Sequence, residues 1–326
     1  VISVVVPAFN EAEGLPLLHR RVTAAAASWG EDHELIIVDD GSSDGTLSIC
    51  QQLAATDPSL KVISFSRNFG HQAAISAGLH YSSGDIVAVI DADLQDPPEE
   101  LFRFIEKVRE GFDVVYAIRT KRKEGLFKRA SYFIYYRLLK KLASLDIPLD
   151  AGDFCVMRRD VVDAMNALPE RNRFLRGLRT WVGYRHTGLA YERQARQAGE
   201  PKYTLAKLVK LALDGVINFS YRPLQVLMLA GVAFGVLALC AGALFLFMYI
   251  TDTSLWGYNP RAAPGWTSIM LALIVMTSMQ MFGVGILGEY IGRLFEETKR
   301  RPIYIVRTTV NVARVRHDNL RAAPDA

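Results

Sequence analysis

Residues 85–98 read DIVAVIDADLQDPP. After Asp85, residues 86–90 form an apolar run without alternation, the pattern of a strand buried on both faces of a sheet. It stops abruptly at Asp91, Asp93, Gln95 and Asp96, and Pro97-Pro98 then opens a helical pattern. In an α/β sheet such residues fall at the carboxyl ends of the strands, where ligands gather. Working outward, the same punctuation recurs twice: VISVVV runs into Pro7-Ala8-Phe9-Asn10-Glu11, and ELIIV into Asp39-Asp40-Gly41-Ser42. Strands are expected at 2–6, 34–38, 61–66, 85–90 and 113–118, with helices at 14–28, 46–55, 72–81 and 98–109, which predicts an α/β domain with a mostly parallel central sheet.

Composition narrows the class. The chain has 326 residues, half of them apolar and 22% charged, enough to pack a large core. Its net charge of +4 gives little support for nucleic-acid binding. Cys50, Cys155 and Cys240 are far apart and form no CxxC pair, which argues against a zinc site or a disulfide scaffold and for a reducing, cytosol-facing compartment. Neither GxGxxG nor GxxxxGK[ST] occurs, so dinucleotide and P-loop sites are disfavoured. Acidic residues must then hold the ligand. Carboxylates repel a pyrophosphate unless a divalent cation lies between them, so Asp91 and Asp93 point to Mg²⁺ or Mn²⁺ and a nucleoside diphosphate.

Two stretches, 224–250 and 267–288, contain no Asp, Glu, Lys or Arg and are each long enough to span a bilayer. Arg193, Arg196, Lys202, Lys207, Lys210 and Arg222 precede them, and Arg293, Lys299, Arg300 and Arg301 follow. The connecting loop carries only Asp252 and Arg261. The positive-inside rule puts both flanks in the cytoplasm, so the two spans form a hairpin. Segment 203–219 carries its lysines on one stripe and suits the membrane interface. Val1 already lies inside a strand-like run, so the natural start is expected upstream. The pairs Gly231 and Gly235, and Gly288 and Gly292, have the spacing that lets helices approach closely, within the hairpin or between subunits. Glu289 and Arg293 have the spacing of a local ion pair.

Taken together, VVVPAFNEAEGL (4–15), IIVDDGSSDGT (36–46), SRNFGHQAAISAGL (66–79), DADLQDPPE (91–99), AGDF (151–154), GEPKY (199–203) and GEYIGR (288–293) resemble glycosyltransferase family 2. Within it the chain is similar to the polyprenyl-phosphate glycosyltransferases that include dolichyl-phosphate-mannose synthase. The resemblance implies a GT-A type nucleotide-sugar-binding domain over 1–200, an interfacial helix over 201–222, a transmembrane hairpin over 223–292 and a cytosolic tail over 293–326. It implies that Asp91, Asp93 and Gln95 form the metal and diphosphate site, and that Pro7, Ala8, Asn10, Glu11, Asp39 and Asp40 line the nucleotide pocket with Asp91. Either Asp39 or Asp40 would accept the N–H of the base. Asp153 would be a carboxylate beside the acceptor, orienting groups more than removing a proton. The basic stretch 119–129, with Arg119, Lys128 and Arg129, would close over the phosphates, and Arg193 and Arg196 would meet the lipid phosphate. Arg67 and Asn68 are expected to serve structure.

The implied reaction is a single inverting displacement moving one hexose from a nucleotide sugar to a polyprenyl phosphate, catalysed by an integral protein of a bacterial inner membrane that is expected to be a homo-oligomer. QDPP (95–98) and LPERNRF (168–174) resemble the bacterial glucosyl-transferring members, which favours UDP-glucose and undecaprenyl phosphate. GDP-mannose and a UDP-linked aminoarabinose remain alternative donors. A processive polysaccharide synthase is disfavoured because no QxxRW motif occurs. A binding or lipid-translocating protein without turnover is the alternative from another class, and the intact Asp91, Asp93 and Gln95 weigh against it.

Overall fold

The computed structural model describes residues 1–120, 151–171, 173–192, 222–254 and 265–312. The chain divides into two compact units: Val1–Asn218 with Arg300–Ala326, and Phe219–Lys299.

The first unit is built on one sheet. In chain order its described strands are β1 (Ile2–Ala8), β2 (His33–Asp39), β3 (Leu60–Phe65), β4 (Ile86–Val89), β5 (Val114–Thr120), β6 (Ala151–Arg158), β7 (His186–Glu192) and β8 (Val306–Val310). They lie side by side in the order β7-β5-β6-β4-β1-β2-β3-β8. The middle four, β4-β1-β2-β3, are parallel and bring their carboxyl ends to one edge. β6 runs antiparallel between β4 and β5, and β8 runs antiparallel along β3. The expected strands and helices are present, with ends shifted by no more than three residues: α1 (Leu15–Ala26), α2 (Thr46–Thr56), α3 (His71–Tyr81) and α4 (Leu101–Arg109). Two further helices follow β6, α5 (Arg159–Ala167) and α6 (Leu175–Trp181).

Apolar runs without alternation become strands covered on both faces, and every residue of β1 is buried. One face of β1, Ile2, Val4 and Val6, joins Leu15, Leu18 and Val22 of α1, Cys50 and Ala54 of α2, and Leu101 and Phe104 of α4 in a single core. The other face takes α3, and here the approach is close. A Cβ at Gly78 would lie 2.1 Å from Val5 Cγ1, so only glycine lets the helix settle onto β1.

At the amino ends of the strands, away from the acidic edge, a buried carboxylate ties four segments. Glu34 accepts from Ser3 Oγ at 2.6 Å, from Ser83 N at 2.7 Å and Ser83 Oγ at 2.8 Å, and pairs with Lys61. Ser3 Oγ in turn accepts from Gly84 N at 2.8 Å. Burial by itself would raise the Glu34 pKa, but Lys61 and the three donors outweigh it and lower it.

The tail expected after the second apolar stretch is only partly a tail. The last helix continues to Thr298, and Val306–Val310 then joins the sheet as β8. VRTTV has only two apolar residues and so no apolar run to announce a strand, and its partner β3 lies some 240 residues earlier. Ser66 N donates to Ile305 O at 2.9 Å, Tyr304 stacks on Phe65 at 5.0 Å, and the Asn311 amide donates to Ala54 O at 2.8 Å and Leu60 O at 3.0 Å.

The second unit contains α7 (Arg222–Thr251) and α8 (Trp266–Thr298). Both expected apolar stretches are helical and extend beyond the expected limits. Among the described residues one segment, Gly231–Thr251, is long and apolar enough to cross a membrane. Large apolar side chains face outward on both helices, Leu237 and Ile250 on α7 and Phe282 and Leu294 on α8 among them. Arg293 Nη2 donates to Glu289 Oε1 at 2.8 Å, the expected local ion pair.

The Glu34 network yields a stability prediction. Glu34→Ala strands Lys61 and the Ser83 N–H and is expected to destabilise the first unit by about 2–4 kcal/mol, below the fullest cost of a broken buried pair because Lys61 stays in part solvated. Because the folded pKa is depressed, this stability is present above the unfolded carboxylate value and is lost as pH falls through the lower folded one. Denaturant midpoints of the detergent-solubilised wild type and Glu34→Gln should therefore converge below about pH 4.

Candidate active site

The acidic edge is assembled from loops that lock onto one another. Ala8 ends β1 opposite Asp39, and Pro7 lies opposite Val38. The chain then turns through Asn10, whose φ of +55° is one that asparagine tolerates better than most residues. Asn10 N donates to Ser42 Oγ at 2.9 Å, and Asn10 Oδ1 accepts from Ser43 N at 2.9 Å. Glu11 N donates to Thr46 Oγ1 at 3.0 Å. These bonds join the β1–α1 and β2–α2 loops into one wall. Gly41 lies inside it at φ +65°, and a Cβ there would come within 2.4 Å of the Arg67 backbone, so this turn requires glycine.

Asp39 and Asp40 are both buried, and each already has partners. Asp39 accepts from Ser42 N at 3.0 Å and Ser64 Oγ at 2.7 Å. Asp40 accepts from Phe69 N at 2.7 Å and Gly70 N at 2.9 Å, at the entry to α3. Burial pushes the Asp40 pKa up, the two N–H donors oppose it, and the Asp39 charge adds to the rise. Arg67 lies 4.0 Å over the Phe69 ring and donates to the Asn68 carbonyl at 2.9 Å.

The decisive geometry lies between β4 and β6. Their antiparallel register pairs Val89 with Cys155. Continued two residues, it sets Asp91, just past the end of β4, opposite Asp153 near the start of β6. His71 Nε2 lies 3.3 Å from Asp153 Oδ2 and 3.7 Å from Asp91 Oδ1. On the far side Arg176 of α6 grips Asp153 with two bonds, Nε to Oδ1 at 2.8 Å and Nη2 to Oδ2 at 3.0 Å. Burial would raise the Asp153 pKa, but the Arg176 charge and the His71 hydrogen bond overcome it and hold the carboxyl well below the usual range. Asp91 behaves oppositely. Burial pushes its pKa up to about 6, His71 opposes this, and Asp96, Asp153 and Asp93 reinforce it.

Asp93 Oδ1 accepts from Gln95 N at 3.1 Å, which closes the turn after Asp91. Asp96 is fully buried and accepts from the Tyr191 hydroxyl of β7, anchoring this loop to the sheet. Among the described residues no group of three or more His, Cys, Asp or Glu side chains encloses a metal. The donor set still fits Mg²⁺ or Mn²⁺, which bind through one or two carboxylates and complete their shell with phosphate and water oxygens. The negative charge that raises the Asp91 pKa is what such a cation would offset.

The structure thus brings together Asp91, Asp93, Gln95 and Asp153, with Pro7, Ala8, Asn10, Glu11, Asp39 and Asp40 at neighbouring strand ends. Arg119 falls in β5, its backbone paired in register with Tyr191. Lys128, Arg129, Arg193 and Arg196 lie outside the described residues, as does the interfacial helix expected over 201–222 apart from its last residue. Sequence reasoning missed His71 and Arg176. His71 sits inside the quoted run 66–79, but only the fold shows that it meets a residue 82 positions on.

Comparison with known proteins identifies the family. The family model for glycosyl transferase family 2 matches residues 3–165. A bactoprenol glucosyl transferase of Shigella phage SfX is 40% identical over 94% of this chain and 99% of its own length. A prophage bactoprenol glucosyl transferase homolog of Escherichia coli (strain K12) is 39% identical over 94% of this chain and 98% of its own. Among solved structures, glucosyl-3-phosphoglycerate synthase from Mycobacterium tuberculosis in complex with Mn²⁺, UDP-glucose and phosphoglyceric acid is 21% identical, covering 67% of this chain and 79% of that one with a TM-score of 0.46. Since the matched span carries β1 to β4 and Asp153, and full-length relatives align nearly end to end, the chain belongs to glycosyl transferase family 2.

Proposed function

We propose that the chain transfers glucose from UDP-glucose to a polyprenyl phosphate, inverting the anomeric centre in one displacement at the cytosolic membrane face. The observation that carries the reading is Asp91 facing Asp153 at the edge where the parallel strands end. The bactoprenol glucosyl transferase relatives supply the sugar and the class of acceptor. Asp91, Asp93 and Gln95 would hold Mg²⁺ or Mn²⁺. Such an ion, when bound, links carboxylates to a diphosphate and offsets charge on the leaving group.

The residues of this chain do the remaining work. Asp39 and Asp40 hold the walls of the nucleotide pocket through backbone N–H groups, and one of them would accept the N–H of the base. An acceptor phosphate, with a second pKa near about 6, is already mostly ionised at neutral pH and needs no base. Asp153, fixed by Arg176, stands beside the acceptor and orients the groups around it, while an acceptor phosphate oxygen attacks the anomeric carbon as the nucleoside diphosphate departs. Arg119, Lys128, Arg129, Arg193 and Arg196 are proposed to neutralise the two phosphate-bearing substrates.

The membrane arrangement is part of the proposal. The chain leaves the first unit at Asn218 and rejoins it at Arg300, as a hairpin of two spans over 224–250 and 267–288 requires. Among the described residues, leaving aside the helix's own nearby backbone, nothing lies within 4 Å of a Cβ built at Gly231, Gly235, Gly288 or Gly292, which favours their use between subunits of a homo-oligomer.

Three outcomes test the reading. Purified protein with undecaprenyl phosphate and Mg²⁺ or Mn²⁺ should move radiolabelled glucose from UDP-glucose into an organic-extractable lipid, and a chelator should abolish it. Label arriving only from GDP-mannose would replace the donor. Asp93→Ala should lower turnover about 100-fold or more, and transfer that survives this change sinks the mechanism. At saturating metal, kcat should rise through the acceptor ionisation near about pH 6 and stay level to pH 8, because Asp153 remains ionised throughout. A further limb between pH 6 and 8 that Asp153→Asn removes would instead make Asp153 a general base.

A further inference from the structure

His71 makes contacts that a helix start does not need. The backbone that delivers it is fixed independently: Asp40 accepts from Phe69 and Gly70, Phe69 packs edge-on against Phe65 at 5.7 Å, and Gln72 Oε1 accepts from Leu175 N at 2.9 Å. The last bond ties the first turn of α3 to the start of α6, next to Arg176. The imidazole is 40% exposed and belongs to neither core. Its Nε2 faces two carboxylates, Asp153 at 3.3 Å and Asp91 at 3.7 Å. Carboxylates only accept, so Nε2 carries the hydrogen, and the shorter distance gives it to Asp153.

Arg176, Asp153, His71 and Asp91 thus form one line of polar contacts running from α6, across β6 and α3, to the end of β4. Arg176 approaches Asp153 from one side and leaves the other open. On that side stands Asp91, a second carboxylate that repels it. We propose that His71 is a positioning residue of the transfer reaction: its Nε2–H holds the Asp153 carboxylate in register with Asp91 and so aligns the acceptor with the donor. Without it, Asp153 is restrained by Arg176 alone and swings away from Asp91. The inference rests on the transfer reaction proposed above and adds a residue that reading did not contain.

The test uses the full chain in lipid nanodiscs with Mn²⁺, UDP-glucose and undecaprenyl phosphate, comparing wild type, His71→Ala and His71→Gln. The glutamine amide places an N–H near the position of Nε2. His71→Ala should lose about 30-fold or more in kcat, as misplaced reacting groups do. Its KM for UDP-glucose and its affinity for UDP with Mn²⁺ should change by less than about fivefold, because His71 reaches the donor side only through Asp91 at 3.7 Å. His71→Gln should recover to within about fivefold of wild type, with thermal midpoints alike in all three. Wild-type kcat in His71→Ala, or equal losses in both variants with lowered thermal midpoints, would overturn the role. If His71→Ala does not fold, a His71→Gln that folds but loses as much as about 30-fold overturns it as well. A wild type that transfers from no donor, while still binding UDP and Mn²⁺, overturns the reaction itself and this role with it.

Discussion

The site depends on one reversal of strand direction. Four parallel strands deliver their carboxyl ends to a common edge, and a fifth parallel neighbour would add one more such end. Instead β6 lies antiparallel against β4, so its amino-terminal residues arrive at that edge. The pairing of Val89 with Cys155 therefore fixes the relation between Asp91 and Asp153 before any side chain is considered. A slip of one residue would turn Asp153 to the opposite face of the sheet, toward Phe104 and away from α3 and α6. Phe154 guards against this slip, since it packs at 4.8 Å from Phe104 and 5.2 Å from Tyr191 on the α4 side.

The register concentrates negative charge, and the fold deals with each carboxylate differently. Asp39 and Asp40 are satisfied by backbone N–H groups and a serine hydroxyl, which fixes loops at the cost of desolvation. Asp153 receives a guanidinium. Among the described residues Asp91 has only an imidazole at 3.7 Å, and burial, reinforced by neighbouring acids, pushes its pKa up. Of these acids it is the one whose neighbours are mostly other acids. Charge left uncompensated by the chain is what a cation-dependent diphosphate site needs, because a carboxylate already neutralised by arginine has little affinity left for a divalent ion.

This division explains what the sequence could disclose. Strand ends were legible because buried parallel strands leave apolar runs, and the acids that follow them stand out. The DxD and the AGD were each visible, yet their meeting was not, since antiparallel pairing between β4 and β6 leaves no local signal in either. His71 and Arg176 were hidden for the same reason: each is ordinary within its own helix and acquires meaning through contacts of 82 and 23 residues' separation with Asp153. Asp39 and Asp40 showed the converse. Their acidity was conspicuous, but the structure occupies both with turns, so conspicuous acids beside a site partly serve to build it.

The strand β8 was the least legible element, and it bears on the site as well. It covers the edge of β3 that would otherwise expose unpaired N–H and C=O groups to other chains. Its lead-in residue Tyr304 lies flat on Phe65, Phe65 meets Phe69 edge-on, and Phe69 N donates to Asp40 at the turn that launches α3. Chain that returns from the apolar helices is thus stacked, through two ring contacts and one hydrogen bond, against the turn that presents His71. Aromatic packing of this kind adds about 0.5–1.5 kcal/mol per pair beyond burial, enough to restrain a turn but too little to stabilise a domain. The contribution of β8 is therefore greatest where small displacements matter most, at the His71 end of α3.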